Sequence, residues 1–403
     1  MRVASLDLIR GVAVLGILAI NIAGFAGPSI SALAPNIPTP ATFHEEAAYA
    51  VGFVLFQGKM RALFAILFGA SMALFIDQAD ARGRDGDRLQ AVRLGWLMVF
   101  GILHYVLLWW GDILFAYGAC GLVLLLFHRL PSRLLVAGAG GLFLVLHLQG
   151  LLLSLPLAMV EEALRLGQGS PREAAAYAQY QGFVKRAFEQ ELQQYSGGFL
   201  HILTIKMREH PFWLLQGVRD GFGEYLPLMA LGLVLQRSGF FAGAWSRRRV
   251  LVLGLGTFAV GLAANLAALS WLWPRHFPPA AMDAALRYGL ALPSALIATG
   301  YGALLMLATP WLSGTHLGQR LSAAGRMAFS NYLGTSLVMT AIFYGWGLGL
   351  FGRVDPVAQW GFVALGWAAM LAWGPASLAR WRRGPLEWLW RSLTEQTWLN
   401  NRR

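Results

Sequence analysis

The chain has 403 residues, 57% of them hydrophobic and only 13% charged, with a formal net charge of +12. Soluble domains carry about 25% charged and about 45–50% apolar residues, so this balance and a mean hydropathy of +0.54 point to lipid as the main solvent. They exclude a disordered chain, a collagen-like fibre and a secreted disulfide scaffold, while the single Cys120 excludes an intramolecular disulfide and a Cys-based metal centre.

A bilayer core of about 30 Å asks for about 20 apolar residues per helix. Ten segments qualify, at roughly 8–26, 60–77, 94–110, 113–127, 134–155, 222–236, 250–273, 287–309, 327–350 and 357–379. The runs are continuous rather than alternating, which excludes a β-barrel. In the first segment Gly24-Phe25-Ala26 resembles a signal-peptide cleavage site, but Asp7 and Arg10 stand close before the apolar run and argue for a retained helix. Residues 46–58 are too short to span and read as an interfacial or re-entrant approach to the second helix. The third and fourth segments, separated by Gly111 and Asp112, form a tight helical hairpin.

Of the 32 Lys and Arg, 20 fall on one side of this arrangement, Arg2 among them, and the positive-inside rule makes that side cytoplasmic. The basic pI near 10.3 is therefore a topology signal, and no nucleic-acid partner is expected. The expected fold is an all-α polytopic membrane protein with about ten transmembrane helices and both termini inside. Four regions follow: a five-helix membrane region at 1–155, an extracytoplasmic amphipathic helical loop at 156–221, a second five-helix membrane region at 222–379, and a basic cytoplasmic tail with an interfacial helix at 380–403. No phosphate loop, HExxH zinc helix, GxSxG elbow or internal repeat is present, and no metal site is expected.

Ionisable groups at membrane depth are functional candidates by default. On the first helix Arg10 and Asn21 share one stripe, with Asp7 close by; the bland alternative is an Asp7–Arg10 pair and an Asn21 that glues two helices. His44 lies in the outer loop beside Glu45 and Glu46. Lys59 and Arg61, at the outer end of the second helix, either bind an anionic headgroup or steady a developing negative charge, or snorkel to the interface. His104 with Asp112 in the following turn suits a general base oriented by a carboxylate, or a packed His and an Asp that caps the next helix. In the tail, Pro385 opens a helix on which Glu387 and Arg391 are four residues apart. That helix is either an anchor at the membrane surface or part of a site for a phosphate-bearing donor.

LDLIRGVAVLGILAINI at 6–22, QGKMRALFAILFGA at 57–70, FGILHYVLLWWGDILFAYGACGLVLL at 100–125, GRMAFSNYL at 325–333 and GPLEWLWRSLT at 384–394 together resemble the YeiB-like family of bacterial inner-membrane proteins, a domain of unknown function. The resemblance covers nearly the whole chain. The first helix is also similar to that of transmembrane acyltransferases such as heparan-α-glucosaminide N-acetyltransferase. In that relative an Asp-x-x-Arg-Gly opening is followed eleven residues after the Arg by an Asn, which Asn21 matches. Its catalytic His stands where this chain has Ala32, so either the base is His104 or His44 or the chemistry is absent.

The resemblance implies transfer of an acyl group from cytoplasmic acyl-CoA, acetyl-CoA included, to an extracytoplasmic envelope sugar or lipid. His104 or His44 would act as base, Asp112 would orient it and Asn21 would hold the oxyanion. Arg10, Arg326 and Arg391 would hold the donor phosphates, and Lys59 and Arg61 the substrate. The donor is a substrate, with no tightly bound cofactor expected; membrane lipids are partners, and a homo-oligomer is compatible with the sequence. A transporter or lipid translocase, and a non-catalytic membrane scaffold, are the competing readings.

Overall fold

The computed structural model describes residues 4–403, so Arg2 lies outside the described residues. Helix α1 (Ala4–Ala26) is the central post. It packs against α3 (Lys59–Asp80), α12 (Ala291–Leu312), α13 (His316–Arg326), α14 (Ala328–Phe343) and α15 (Pro356–Arg380). Around these run α4 (Gly86–Leu107), α5 (Leu114–Phe127), α6 (Ser132–Arg165), α9 (Trp213–Arg237) and α10 (Arg247–Leu272).

The protein is an all-α polytopic membrane protein. Among the described residues seven helices are long and apolar enough to cross a membrane, and each of the ten expected segments contains a helix, although the ninth, expected at 327–350, stays helical only to Phe343. The difference in number has a simple cause. Helices α5 and α14 are apolar but short, and α9 begins with the polar stretch WLLQGVRDGFGE before its apolar half. The usual inside-out pattern of a soluble protein is reversed on the outer helices: Leu153 is 75% exposed on α6 and Leu365 is 69% exposed on α15. Water would penalise such surfaces and a lipid phase does not.

Several boundaries depart from the sequence reading. Residues 43–55 form a full helix, α2 (Phe43–Leu55), opened by a capping box between Thr42 and Glu45. Gly58, at φ 77°, then turns the chain into α3. Helix α6 does not stop at residue 155 but runs on through Pro156 to Arg165. The Pro156 ring removes one backbone donor, and Ser154 Oγ donates to Leu151 O at 3.1 Å in the same turn. The remainder of the polar insertion is α7 (Pro171–Ser196) and α8 (Phe199–Glu209), and α9 has already begun at Trp213.

Helices α3 and α9 touch backbone to backbone at two points. A Cβ on Gly69 of α3 would overlap the carbonyl of Met229 on α9, and one on Gly232 would overlap that of Ile66. Membrane helices have little hydrophobic drive to associate, so small residues that allow such approach set the pairing.

Helix α8 carries a titratable element of the fold. Lys206 is 2% exposed, and its Nζ donates to Tyr105 O at 3.0 Å and Leu108 O at 3.4 Å, the free carbonyls at the end of α4. Burial lowers its pKa from 10.5 to about 7. The folded state therefore binds fewer protons than the unfolded chain between those values, so the charging penalty is full below pH 7 and relieved as pH rises towards 10.5. The expected result is a thermal midpoint that climbs over this window in wild type and climbs less in Lys206→Met, read by differential scanning fluorimetry in detergent.

Candidate active site

Helix α4 ends at Leu107, three residues before the expected end, and residues 108–113 connect it to α5. Side chains from elsewhere pin this connector. Trp109 Nε1 donates to Gly24 O at 3.2 Å, Trp213 Nε1 to Trp110 O at 2.8 Å, and Tyr332 Oη to Gly111 O at 3.2 Å.

His104 sits on the last turn of α4 with no exposed side-chain surface, as does Asp112 in the connector. His104 Nδ1 lies 2.8 Å from Asp112 Oδ2. The other carboxylate oxygen accepts from Phe115 N at 2.8 Å, at the start of α5. Asp112 thus orients the imidazole and caps the next helix at once. On the far side of the ring, His104 Nε2 lies 2.9 Å from Ser336 Oγ on α14. Ser336 is the residue that sequence reasoning missed. Serines in membrane helices commonly bond the preceding turn, and Ser336, near Tyr332 O at 3.2 Å, fits that habit too. Only its pairing with His104, 232 positions away, sets it apart.

Asn21 faces a small void of about 10 Å³ together with Phe25, Tyr332, Thr335 and Ser336. It therefore lies beside the His104 cluster, across Ser336. His44 does not. It is exposed on the first turn of α2, packed edge-on to Phe43. Ala32 belongs to a short 3₁₀ turn (Ser29–Ala32) that lines a separate cavity of about 360 Å³ on the other side of the end of α1.

The Arg residues singled out for a donor converge. A cavity of about 630 Å³ opens on the face that carries the basic loops, and among the described residues eight arginines line it, Arg10, Arg326 and Arg391 included. The acidic lining is Asp7, Glu387 and Glu395. Arg10 Nη1 reaches Asp7 at 3.1 Å and its Nη2 donates to Ser71 Oγ at 2.8 Å. Arg93 is stacked between Phe75 and Trp390, 4.7 and 4.3 Å from their ring centres.

The tail helix α16 (Pro385–Glu395) closes this cavity, with one correction to its expected pairing. Arg391 pairs with Glu395, at 3.0 Å, and not with Glu387. Glu387 turns inward and accepts from Phe329 N at 2.8 Å, Ser330 N at 3.0 Å and Ser330 Oγ, which caps α14. Burial raises its pKa against the opposing pull of those bonds.

A second, mostly apolar cavity of about 210 Å³ shares Arg10, Ser71, Arg93, Arg326, Glu387 and Trp390 with the first. It continues inward between Phe64, Ile113, Phe329 and Tyr332. Ile17 and Tyr332 also line the void at Asn21 and Ser336. Three cavities with shared lining residues are thus set in series between the basic face and the void beside Ser336, the partner of His104. Beyond it stand Phe25 and Trp109, stacked at 4.1 Å, with Trp110 and Trp213 against them.

Lys59 and Arg61 both have protein partners. Lys59 is 1% exposed and donates to Phe53 O at 2.7 Å and to Asn265 Oδ1. Arg61 pairs with Glu224 on α9 at 2.8 Å. Lys59 therefore does not snorkel, while Arg61, with 39% of its side chain exposed, is held by a partner far away in sequence.

Residues 235–397 match the family described as a protein of unknown function, DUF418. The chain is 31% identical over 394 residues to the uncharacterized protein YeiB of Escherichia coli K12, covering 98% of this chain and 96% of that one. It is 29% identical to the uncharacterized protein YxaH of Bacillus subtilis, covering 98% and 95%. A protein of Bacillus acidopullulyticus, described as an uncharacterized 39.9 kDa protein in the amylase 3′ region, is 26% identical over 98% and 94%. No solved structure matches. Identity of 31% across almost the whole of both chains is enough to place this membrane protein: it belongs to the YeiB-like family.

Proposed function

We propose that this protein is an acyltransferase of the bacterial inner membrane, taking an acyl group from cytoplasmic acyl-CoA and delivering it to an extracytoplasmic envelope sugar or lipid. The observation that carries the reading is the series of cavities from the arginine-lined mouth to the void at Asn21 and Ser336, where Ser336 meets His104. Each part of an acyl-CoA has a counterpart along it. Phosphates call for guanidinium groups, which bind them through paired, charge-assisted hydrogen bonds. The long pantetheine arm suits a narrow, mostly apolar passage. The thioester carbonyl would arrive in the void beside Asn21, whose amide can donate to the oxyanion. His104, held by Asp112, would then manage the proton.

Donor binding tests the reading. Purified protein is expected to bind acetyl-CoA, and Arg326→Gln and Arg391→Gln are each expected to weaken binding about 10- to 100-fold, from the about 1.5–3 kcal/mol of a hydrogen bond to a charged group. The affinity should also fall steeply with added salt. Isothermal titration calorimetry in detergent reads both effects; absence of binding by acetyl-CoA and by longer acyl-CoAs would remove the proposal.

A further inference from the structure

We propose that Ser336 is a nucleophile that carries the acyl group as an oxygen ester between donor and acceptor. The inference rests on the acyl-transfer reading and adds a covalent step to it. Asp112, His104 and Ser336 form a continuous relay, with contacts of 2.8 and 2.9 Å. None of the three is more than marginally accessible to solvent: the His104 and Asp112 side chains have no exposed surface and Ser336 is 1% exposed.

Proton counting favours this role over a bond within α14. An ionised carboxylate only accepts, so Asp112 fixes the imidazole hydrogen on Nδ1 and leaves Nε2 as a lone pair. Ser336 Oγ is the group placed to donate to that lone pair. Its single hydrogen cannot serve Tyr332 O at the same time, and that contact is longer, at 3.2 Å. The hydroxyl is thus aligned to lose its proton to the base, the condition for an activated serine. On its open side lies the void shared with Asn21, of about 10 Å³. A space near the size of one water favours the smallest acyl group.

The chemistry balances in two halves. Ser336 Oγ attacks the thioester carbonyl as its proton passes to His104 Nε2; the carbon–sulfur bond breaks, and the leaving thiolate takes that proton and departs as free CoA thiol. An acceptor hydroxyl or amine then attacks the ester carbonyl and gives its proton to His104, which returns it to Ser336 Oγ as the ester bond breaks. Water in place of the acceptor gives slow hydrolysis.

The test uses the full-length protein with acetyl-labelled acetyl-CoA and no acceptor, quenched on the timescale of one turnover. The expected result is release of about one CoA thiol per protein and label on the peptide containing Ser336, removed by alkaline hydroxylamine. Ser336→Ala should lose the label and slow CoA release by about 10³-fold or more. Ser336→Cys supplies a control for folding, because it should carry the label as a thioester that neutral hydroxylamine removes. If Ser336→Ala keeps wild-type turnover while His104→Ala is inactive, transfer is direct: the covalent step is overturned and the acyltransferase reading stands. If wild type neither binds nor consumes acetyl-CoA or palmitoyl-CoA, both fall together.

Discussion

Replacing Asp112 by Asn is expected to lower acyl transfer about 10²- to 10⁴-fold with little change in fold. The shape of the side chain survives, and Asn Oδ1 can still accept from Phe115 N, as Asp112 Oδ1 does at 2.8 Å. The group facing His104 Nδ1 changes from an acceptor to an amide donor. The ring would then carry its hydrogen on Nε2, and Ser336 would face a donor where it had faced a lone pair. His104→Ala should be equally inactive but also less stable, because it strands the Asp112 carboxylate, which has no exposed surface. Leaving a buried polar group without its partner costs about 1–3 kcal/mol, and more for a charged one. Single-turnover CoA release paired with thermal unfolding in detergent separates the two variants: loss of activity alone for the first, loss of both for the second. An Asp112→Asn protein with wild-type turnover would remove the relay from the mechanism.

The second large effect is structural. Gly232→Ala and Gly69→Ala should each destabilise the protein by about 3 kcal/mol or more, the upper end for overpacking. The added methyl meets a backbone carbonyl of the facing helix, of Ile66 or Met229, and backbone cannot step aside as a side-chain tip can. Separation of α3 from α9 would also pull Arg61 from Glu224, which sit on those two helices. Gly138→Ala and Gly140→Ala on α6 are the controls, since a Cβ there has nothing within 4 Å. They should be neutral or slightly stabilising, through the better helix propensity of Ala. The recovered monodisperse fraction after size exclusion and the unfolding midpoint measure both pairs.

What could be read from the sequence follows from how local each signal is. The α4–α5 hairpin and its His104–Asp112 pair were legible because both polar residues interrupt an apolar run, eight positions apart. The arginines of the basic face were legible because charge clusters at helix ends. Ser336 was not, since nothing in GTSLVM differs from an ordinary membrane serine until α14 lies beside α4. The partners of Lys59 and Arg61 were illegible for the same reason, as Asn265 and Glu224 stand 206 and 163 positions away. Glu387 had an attractive local partner in Arg391 and found better ones, the backbone donors at the start of α14. The short helices α5 and α14 show the limit of counting apolar runs, because tertiary contact rather than length holds them in place.

The aromatic wall at Phe25, Trp109, Trp110 and Trp213 has an electrical consequence. Water filling the arginine cavity would carry the potential of that face inward as far as Arg10 and Ser71. The voltage across the membrane would then fall over the mostly apolar stretch from there to the aromatic wall, not over the whole bilayer. Moving one elementary charge across the full drop is worth about 2.3 kcal/mol per 100 mV. A proton that only shuttles among Ser336, His104 and the leaving thiol stays within a few ångströms and crosses little of that field. The arrangement would keep acyl transfer nearly independent of the state of energisation of the cell.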